Sequence, residues 1–194
     1  MFLEQTGSKN KAQGWIEVIC GGMFSGKTEE LLRRYRRAEI AGQKSMLFKP
    51  SIDKRYADDK VVSHNKICSE SISVKSAFEI LDLVNEPCDL IAIDEAQFLD
   101  NGLIDVCNTL ANRGIRVLVA GLDMDYNGAP FGPIPSLLAR AEYVTKLHAI
   151  CLKCGGLAHF SHRLSEEDSK VLIGEKKEYE PLCRSCFAAT KENN

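Results

Sequence analysis

Short, mostly apolar runs alternate along this chain with longer stretches in which apolar positions recur every three or four residues. Trp15–Cys20, Ser45–Pro50, Asp89–Asp94, Ile115–Gly121 and Tyr143–Ile150 are of the first kind. They are short and rich in β-branched residues, and they predict buried strands. Thr28–Ala41 carries Leu31, Leu32, Tyr35 and Ala38 at helical spacing, and Ser76–Val84, Gly102–Asn112 and Pro135–Ala141 predict three further helices. Strands that alternate with helices imply an α/β fold whose mostly parallel sheet is covered on both faces. Between them, Ser51–Asn65 is polar and holds Asp53, Arg55 and His64, while Asp123–Pro135 is a Gly/Pro-rich loop. A long polar segment inside a compact α/β domain is more often functional than idle. Residues 1–13 and 188–194 are polar and are expected to be loose tails.

Chemistry enters where the first strand meets the first helix. Gly21-Gly22-Met23-Phe24-Ser25-Gly26-Lys27-Thr28 fits the phosphate-loop pattern of two glycines with four residues between them, followed by Lys and Thr. Its glycines let backbone N–H groups close around phosphate oxygens at a helix N-terminus that already favours anions. Lys27 is placed to reach the β- and γ-phosphates of a nucleoside triphosphate, and the Thr28 hydroxyl to ligate Mg²⁺. The strand Leu90-Ile91-Ala92-Ile93 then runs into Asp94-Glu95. Ligands of open α/β sheets bind at that strand edge, so Asp94 is expected to hold Mg²⁺ opposite Thr28. Glu95 is the best candidate for the base that orients an attacking hydroxyl.

Composition narrows the partners. A charged fraction of 27% with a formal net charge of −2 leaves no global electrostatic footprint for nucleic acid. The apolar runs are too short for a membrane span, and the N-terminus lacks the basic and apolar regions of a secretion signal. A reducing, cytoplasmic setting is therefore expected, and it changes how the cysteines are read. Cys151-x-x-Cys154 and Cys183-x-x-Cys186 form two knuckles suited to a closed, structural zinc site. His159 and His162 lie nearby, but four cysteines leave them no vacancy. The pairs are separated by residues 155–182, longer than the usual ribbon gap of about 15–20, so zinc would pin the base of a loop able to fold over the nucleotide domain. Cys20, Cys88 and Cys107 are expected to be buried or partly buried thiols, and Cys68 has no evident role.

These pieces together resemble the cytosolic-type (type II) thymidine kinases. The likeness runs from about Gly14 to Phe187. It rests on the phosphate loop with Met-Phe-Ser-Gly-Lys-Thr, on Asp53-Lys54-Arg55-Tyr56, Asp94-Glu95-Ala96-Gln97-Phe98, Gly121-Leu122-Asp123 and Pro130-Phe131-Gly132, and on a zinc loop containing Tyr179. The resemblance implies a RecA-like ATP-binding domain over residues 14–150 and a zinc-anchored lasso over 151–187. It implies transfer of the ATP γ-phosphate to the 5′-hydroxyl of thymidine. Glu95 matches the family's catalytic base, and Arg55 an arginine that steadies the phosphates, with Lys27 beside it. Asp53 and Gln97 join the phosphate loop and Asp94 on the ATP and Mg²⁺ side. Met23, Phe98, Leu122, Tyr126 and Phe131 match positions that line or support the thymidine pocket. Ser161, Val171 and Tyr179 match the lasso segment that reads the base largely through main-chain atoms. A homotetramer restrained by dTTP is also implied. Gly22 departs from the proline of many relatives, which makes this turn less rigid.

The residues alone reach an Mg·ATP phosphotransferase with a zinc-anchored lid. A RecA-like ATPase that remodels DNA, with a knuckle for binding it, stays open on that footing. So does a non-catalytic zinc-ribbon protein, although intact Lys27, Thr28, Asp94 and Glu95 speak against it. Arg33-Arg34-Tyr35-Arg36-Arg37 looks basic enough for nucleic acid, but Glu29, Glu30 and Glu39 lie within pairing reach, which predicts a salt-bridged or subunit-facing helix and no stable nucleic-acid binding.

Overall fold

Strands this rich in apolar residues need cover on both faces, and the sheet of this protein has it. The computed structural model describes residues 13–52, 60–62, 68–164 and 178–192. In chain order the elements are β1 (Trp15–Gly21), α1 (Lys27–Ile40), β2 (Ser45–Pro50), β3 (Lys60–Val62), β4 (Cys68–Glu70), β5 (Ile72–Val74), α2 (Phe78–Leu83) and β6 (Leu90–Ile93). A single 3₁₀ turn, Ala96–Phe98, is followed by α3 (Leu103–Asn112), β7 (Arg116–Gly121), α4 (Ile134–Arg140) and β8 (Tyr143–Leu147). The C-terminal part comprises β9 (Ala149–Ile150), β10 (Leu157–Ala158), β11 (Phe160–Arg163), β12 (Tyr179–Leu182) and α5 (Arg184–Glu192). No helix among the described residues is long and apolar enough to cross a membrane.

Six strands pair in the order β5-β2-β6-β7-β1-β8, and every pairing is parallel. Alternation along β1 divides the core. Ile16, Val18 and Cys20 pack with Ile80, Leu103, Val106, Leu110, Ile134 and Leu137 of α2, α3 and α4. Ile19 faces the other way, onto Leu31, Leu32, Tyr35 and Ala38 of α1. Each such side chain taken from water contributes about 1.5–3 kcal/mol, so the inner strands form the rigid frame of the molecule. Cys20 and Cys107 are buried and Cys88 is partly buried, as expected. Burial pushes the thiols of Cys20 and Cys107 up to about 11 and about 12.

The one acid in β1 is accounted for by the arginine run. Glu17 is wholly buried on the α1 side, where its carboxylate accepts from Arg34 Nη1 at 2.8 Å and from Arg116 Nε at 2.7 Å. Arg34 and Arg33 also pair with Glu30. The helix is salt-bridged, and Arg34 points into the protein.

Three expectations need correction. The last strand does not run unbroken from Tyr143 to Ile150. β8 pairs with β1 only as far as Leu147, where β1 itself ends at Gly21, and beyond His148 the chain pairs antiparallel with β10 instead. The edge strand β5, inside a region assigned no element, pairs with β2 through Ile72, Ser73 and Val74. Residues 188–192, expected to be a loose tail, belong to α5. The expected N-terminal tail lies, except for Gln13, outside the described residues.

Candidate active site

The phosphate loop follows β1 directly, and its conformation depends on its glycines. Gly21 has φ 142°, and a Cβ there would run into the carbonyl oxygen of Leu147 on β8. Gly26, at φ 86°, caps the N-terminus of α1. Phe24 holds a left-handed φ of 63° without being glycine, and such a conformation costs about 1–3 kcal/mol and clusters at ligand sites. Lys27 folds over the loop and donates from Nζ to the Gly22 carbonyl at 2.8 Å, as does the Ser25 hydroxyl at 2.8 Å. The loop is thus preformed, with its lysine held on the side a phosphate would occupy.

The two predicted magnesium-side groups meet. Thr28 Oγ1 donates to Asp94 Oδ2 at 3.0 Å, across the gap between α1 and the end of β6. Asp94 is buried, and that burial, reinforced by the neighbouring Glu95 charge, pushes its carboxyl up to about 7. A divalent cation beside Thr28 and Asp94 would reverse that shift, because it supplies the charge that burial removes. Hard oxygen donors of this kind suit Mg²⁺.

Glu95 turns out of the strand in a left-handed conformation, φ 49° and ψ 36°. Its carboxylate accepts from Gln97 Nε2 at 2.5 Å, and Gln97 Oε1 accepts from the Leu122 amide at 3.0 Å. Gln97 was expected among the ATP and Mg²⁺ contacts. Its amide bridges the Glu95 carboxylate to the β7–α4 loop, in a slot that Gly121 leaves open: a Cβ at 121 would lie 2.8 Å from Gln97 Oε1. Nothing in the residue's identity signalled this, because the bridge depends on a loop distant in sequence.

The β7–α4 loop carries the next group of candidates. Its turn is closed by Asp125, whose Oδ1 accepts from the amides of Asn127 and Ala129, both at 2.9 Å. Phe131 meets Phe98 edge to face, with ring centroids 5.9 Å apart. Leu122 and Tyr126 are half-buried. Asp123 is buried and paired with Lys146 at 2.6 Å. Ser161 is buried on β11, and its Oγ accepts from the Met23 amide at 2.9 Å, joining the phosphate loop to the C-terminal part. Tyr179 starts β12, paired across from Arg163. Arg163, which motif reading passed over, is buried between Tyr179 and Tyr126. Its signal was period-two alternation from Ser161, which puts both on one face of β11. Asp53, Arg55 and Val171 lie outside the described residues.

The four predicted cysteines come together. The sulfurs of Cys151, Cys154, Cys183 and Cys186 all lie within 4.8 Å of one another. Backbone N–H groups, that of Cys183 foremost, lower the Cys151 thiol to about 6, and the Cys186 amide leads the lowering of Cys183. Sharing with Cys183 raises Cys186 to about 12. Four thiolates so placed are a zinc donor set, and a bound metal would favour the ionised form of each. His159 stays out of the cluster with its ring against His148 at 4.4 Å, and His162 lies edge-on to Phe187. Beneath the sulfurs, Phe160 stacks on Phe187 at 4.4 Å within a small core that Phe24 of the phosphate loop and Met124 also pack against.

Known proteins place this arrangement. The family model described as thymidine kinase matches residues 14–187. A thymidine kinase of Bacteroides fragilis (strain YCH46) is 55% identical over 187 residues, covering 96% of this chain and 94% of its own. Its counterpart from Bacteroides thetaiotaomicron is 56% identical over the same shares. A thymidine kinase of Rhodothermus sp. (strain ITI 518) is 56% identical over 90% of this chain and 81% of its own.

Proposed function

Because this chain belongs to the thymidine kinase family, we propose that it transfers the γ-phosphoryl group of ATP to the 5′-hydroxyl of thymidine, giving thymidine monophosphate and ADP. The observation that carries the reading is the Thr28–Asp94 hydrogen bond with Glu95 next in the chain, all at the strand edge where the phosphate loop opens. In this reading the loop amides and Lys27 bind the β- and γ-phosphates. Thr28 and Asp94 hold Mg²⁺, which when bound neutralises charge on the phosphates. Glu95 accepts the proton of the 5′-hydroxyl as its oxygen bonds to the γ-phosphorus and the bond to the β–γ bridging oxygen breaks. Gln97 holds that carboxylate in place through its bond to the Leu122 amide.

Met23, Phe98, Leu122, Tyr126, Phe131, Ser161 and Tyr179 line or support the nucleoside pocket. Arg55, Asp53 and Val171 take the roles the family resemblance gives them. Cys151, Cys154, Cys183 and Cys186 would hold zinc, which would tie down the base of the lasso, and a lasso held there would keep water from competing for the phosphoryl group. A cytoplasmic homotetramer inhibited by dTTP completes the proposal.

The test is to incubate the protein with Mg·ATP and, separately, thymidine, deoxycytidine, deoxyadenosine, single-stranded DNA or nothing, measuring ADP and nucleoside monophosphate. ADP matched by thymidine monophosphate in the thymidine reaction alone is the expected result. ADP that rises with DNA while every nucleoside stays intact would sink the proposal in favour of a DNA-stimulated ATPase.

A further inference from the structure

Arg163 is an unusual side chain to find where it lies. It ends β11 on the same face as Ser161, it is 8% exposed, and it stands across the ladder from Tyr179. Its Nη2 and Nε both donate to the Tyr179 hydroxyl oxygen, at 2.9 and 3.3 Å. Its guanidinium also lies over the Tyr126 ring, 4.2 Å from the centroid, and over the Tyr179 ring at 5.5 Å. One side chain therefore ties the strand that closes segment 164–178 to the tip of the β7–α4 loop.

A buried guanidinium is a costly way merely to fill space, since leucine would join two rings with far less desolvation. A planar fork does what leucine cannot. It fixes the direction of a phenol hydroxyl and the tilt of a ring at once, at every pH at which the protein folds. With two N–H groups aimed at its oxygen, the Tyr179 hydroxyl directs its own proton away from Arg163.

We infer that Arg163 is a positioning residue for the nucleoside. It holds Tyr126 and Tyr179 as two walls at a fixed spacing and so sets affinity for the base, without contributing to the phosphoryl-transfer machinery. The inference rests on the reading of Tyr126 and Tyr179 as nucleoside-lining residues.

The experiment compares KM for thymidine, KM for ATP, kcat and Tm in the wild type, Arg163→Lys, Tyr179→Phe and the double variant. Lysine keeps the charge but loses the fork and the planar stack. Arg163→Lys is expected to raise KM for thymidine by about tenfold, as for a displaced binding group, with kcat and KM for ATP changed less than about twofold. Tyr179→Phe keeps the ring and loses the tie, and is expected to give a smaller rise in the same constant. In that background Arg163→Lys should add less than it does alone.

An unchanged KM for thymidine in a folded Arg163→Lys protein overturns the inference. So does an equal fall in kcat and ATP affinity, or a lysine effect that is the same in both backgrounds. If Arg163→Lys does not fold, Tyr179→Phe decides: a raised KM for thymidine supports the link and an unchanged one overturns it. A wild type that makes no thymidine monophosphate overturns the thymidine reading itself, and the inference with it. That outcome is distinct from an active wild type whose variants are unaffected, which overturns Arg163 alone.

Discussion

Around the phosphate loop the chain is held by bonds to its own backbone and by a sheet with wholly buried inner strands. Around Tyr126 and Tyr179 it is held by a small core under Phe160 and Phe187, by a guanidinium between two rings, and by four sulfurs. The first arrangement is continuous with the fold and stays formed as long as the sheet does. The second is a satellite with few buried side chains, and small cores of that kind depend on a metal or another staple. A kinase gains from the difference. Under the proposed function the phosphates would meet a preformed cradle, while the part proposed to admit and release a nucleoside would be free to loosen without unfolding the frame.

The widest separation of the two ends is expected from chemistry. Glu95→Gln should lower kcat by about 10²–10⁴-fold while ATP affinity and the thermal transition stay near wild type, measured by coupled ADP release and by nucleotide titration. Near-normal turnover would take the proton acceptor away from the strand edge. Next in size is the metal. Protein as purified should carry a single zinc per chain on the Cys151, Cys154, Cys183 and Cys186 cluster, and Cys183→Ser should raise KM for thymidine on the order of tenfold through pocket misplacement, with less effect on KM for ATP. Equal losses of both would mean that the two ends melt as one unit, coupled through Phe24.

A smaller effect tests the cost of the phosphate end. The Asp94 carboxyl sits at about 7 in the folded protein because burial resists its charge. A carboxyl raised in this way costs stability as pH climbs from its ordinary value near 4 through about 7. Asp94→Asn, which never ionises, should therefore be more stable than wild type at pH 8 in metal-free buffer and no more stable at pH 5, as read by Tm. The smallest effect concerns the helix behind the loop. Arg33 foremost, with Arg34, holds the Glu30 carboxyl down at about 2. A depressed carboxyl stabilises the fold above its ordinary value and loses that contribution as pH falls from about 4.5 towards 2. The stability gap between wild type and Glu30→Gln should accordingly shrink across that acid range, modestly, since the pair with Arg33 is largely in solvent.

The same division separates what could be read from residue order and what could not. The phosphate loop, Asp94-Glu95 and the cysteine knuckles are each contiguous, so their chemistry is legible in a few neighbouring letters. β1, β2, β6 and β7 were legible because buried parallel strands are written as apolar runs. β5 was not: Ile72 and Val74 are too few to show a period, and only its pairing with β2 makes it a strand. The break at His148 was invisible because it is set by where β1 ends, far earlier in the chain. The role of Glu17 was not legible either, because Arg34 and Arg116, which surround its carboxylate, come from other elements. Arg163 escaped for the same reason, and so did the bridge that Gln97 makes, since each joins residues that distant segments supply.

The sheet order also has a consequence for how this protein is made. β1, with the phosphate loop at its end, is the first strand of the six-stranded sheet to be synthesised, yet its neighbours are β7 and β8, the last two strands of that sheet. A nascent chain thus carries the cradle for most of its elongation on a strand that has no partner. Contacts of such long sequence separation close slowly, and the unpaired apolar strand is exposed to misassociation meanwhile. Nucleotide-binding competence should accordingly appear late and abruptly in translation, once Leu147 has cleared the ribosome.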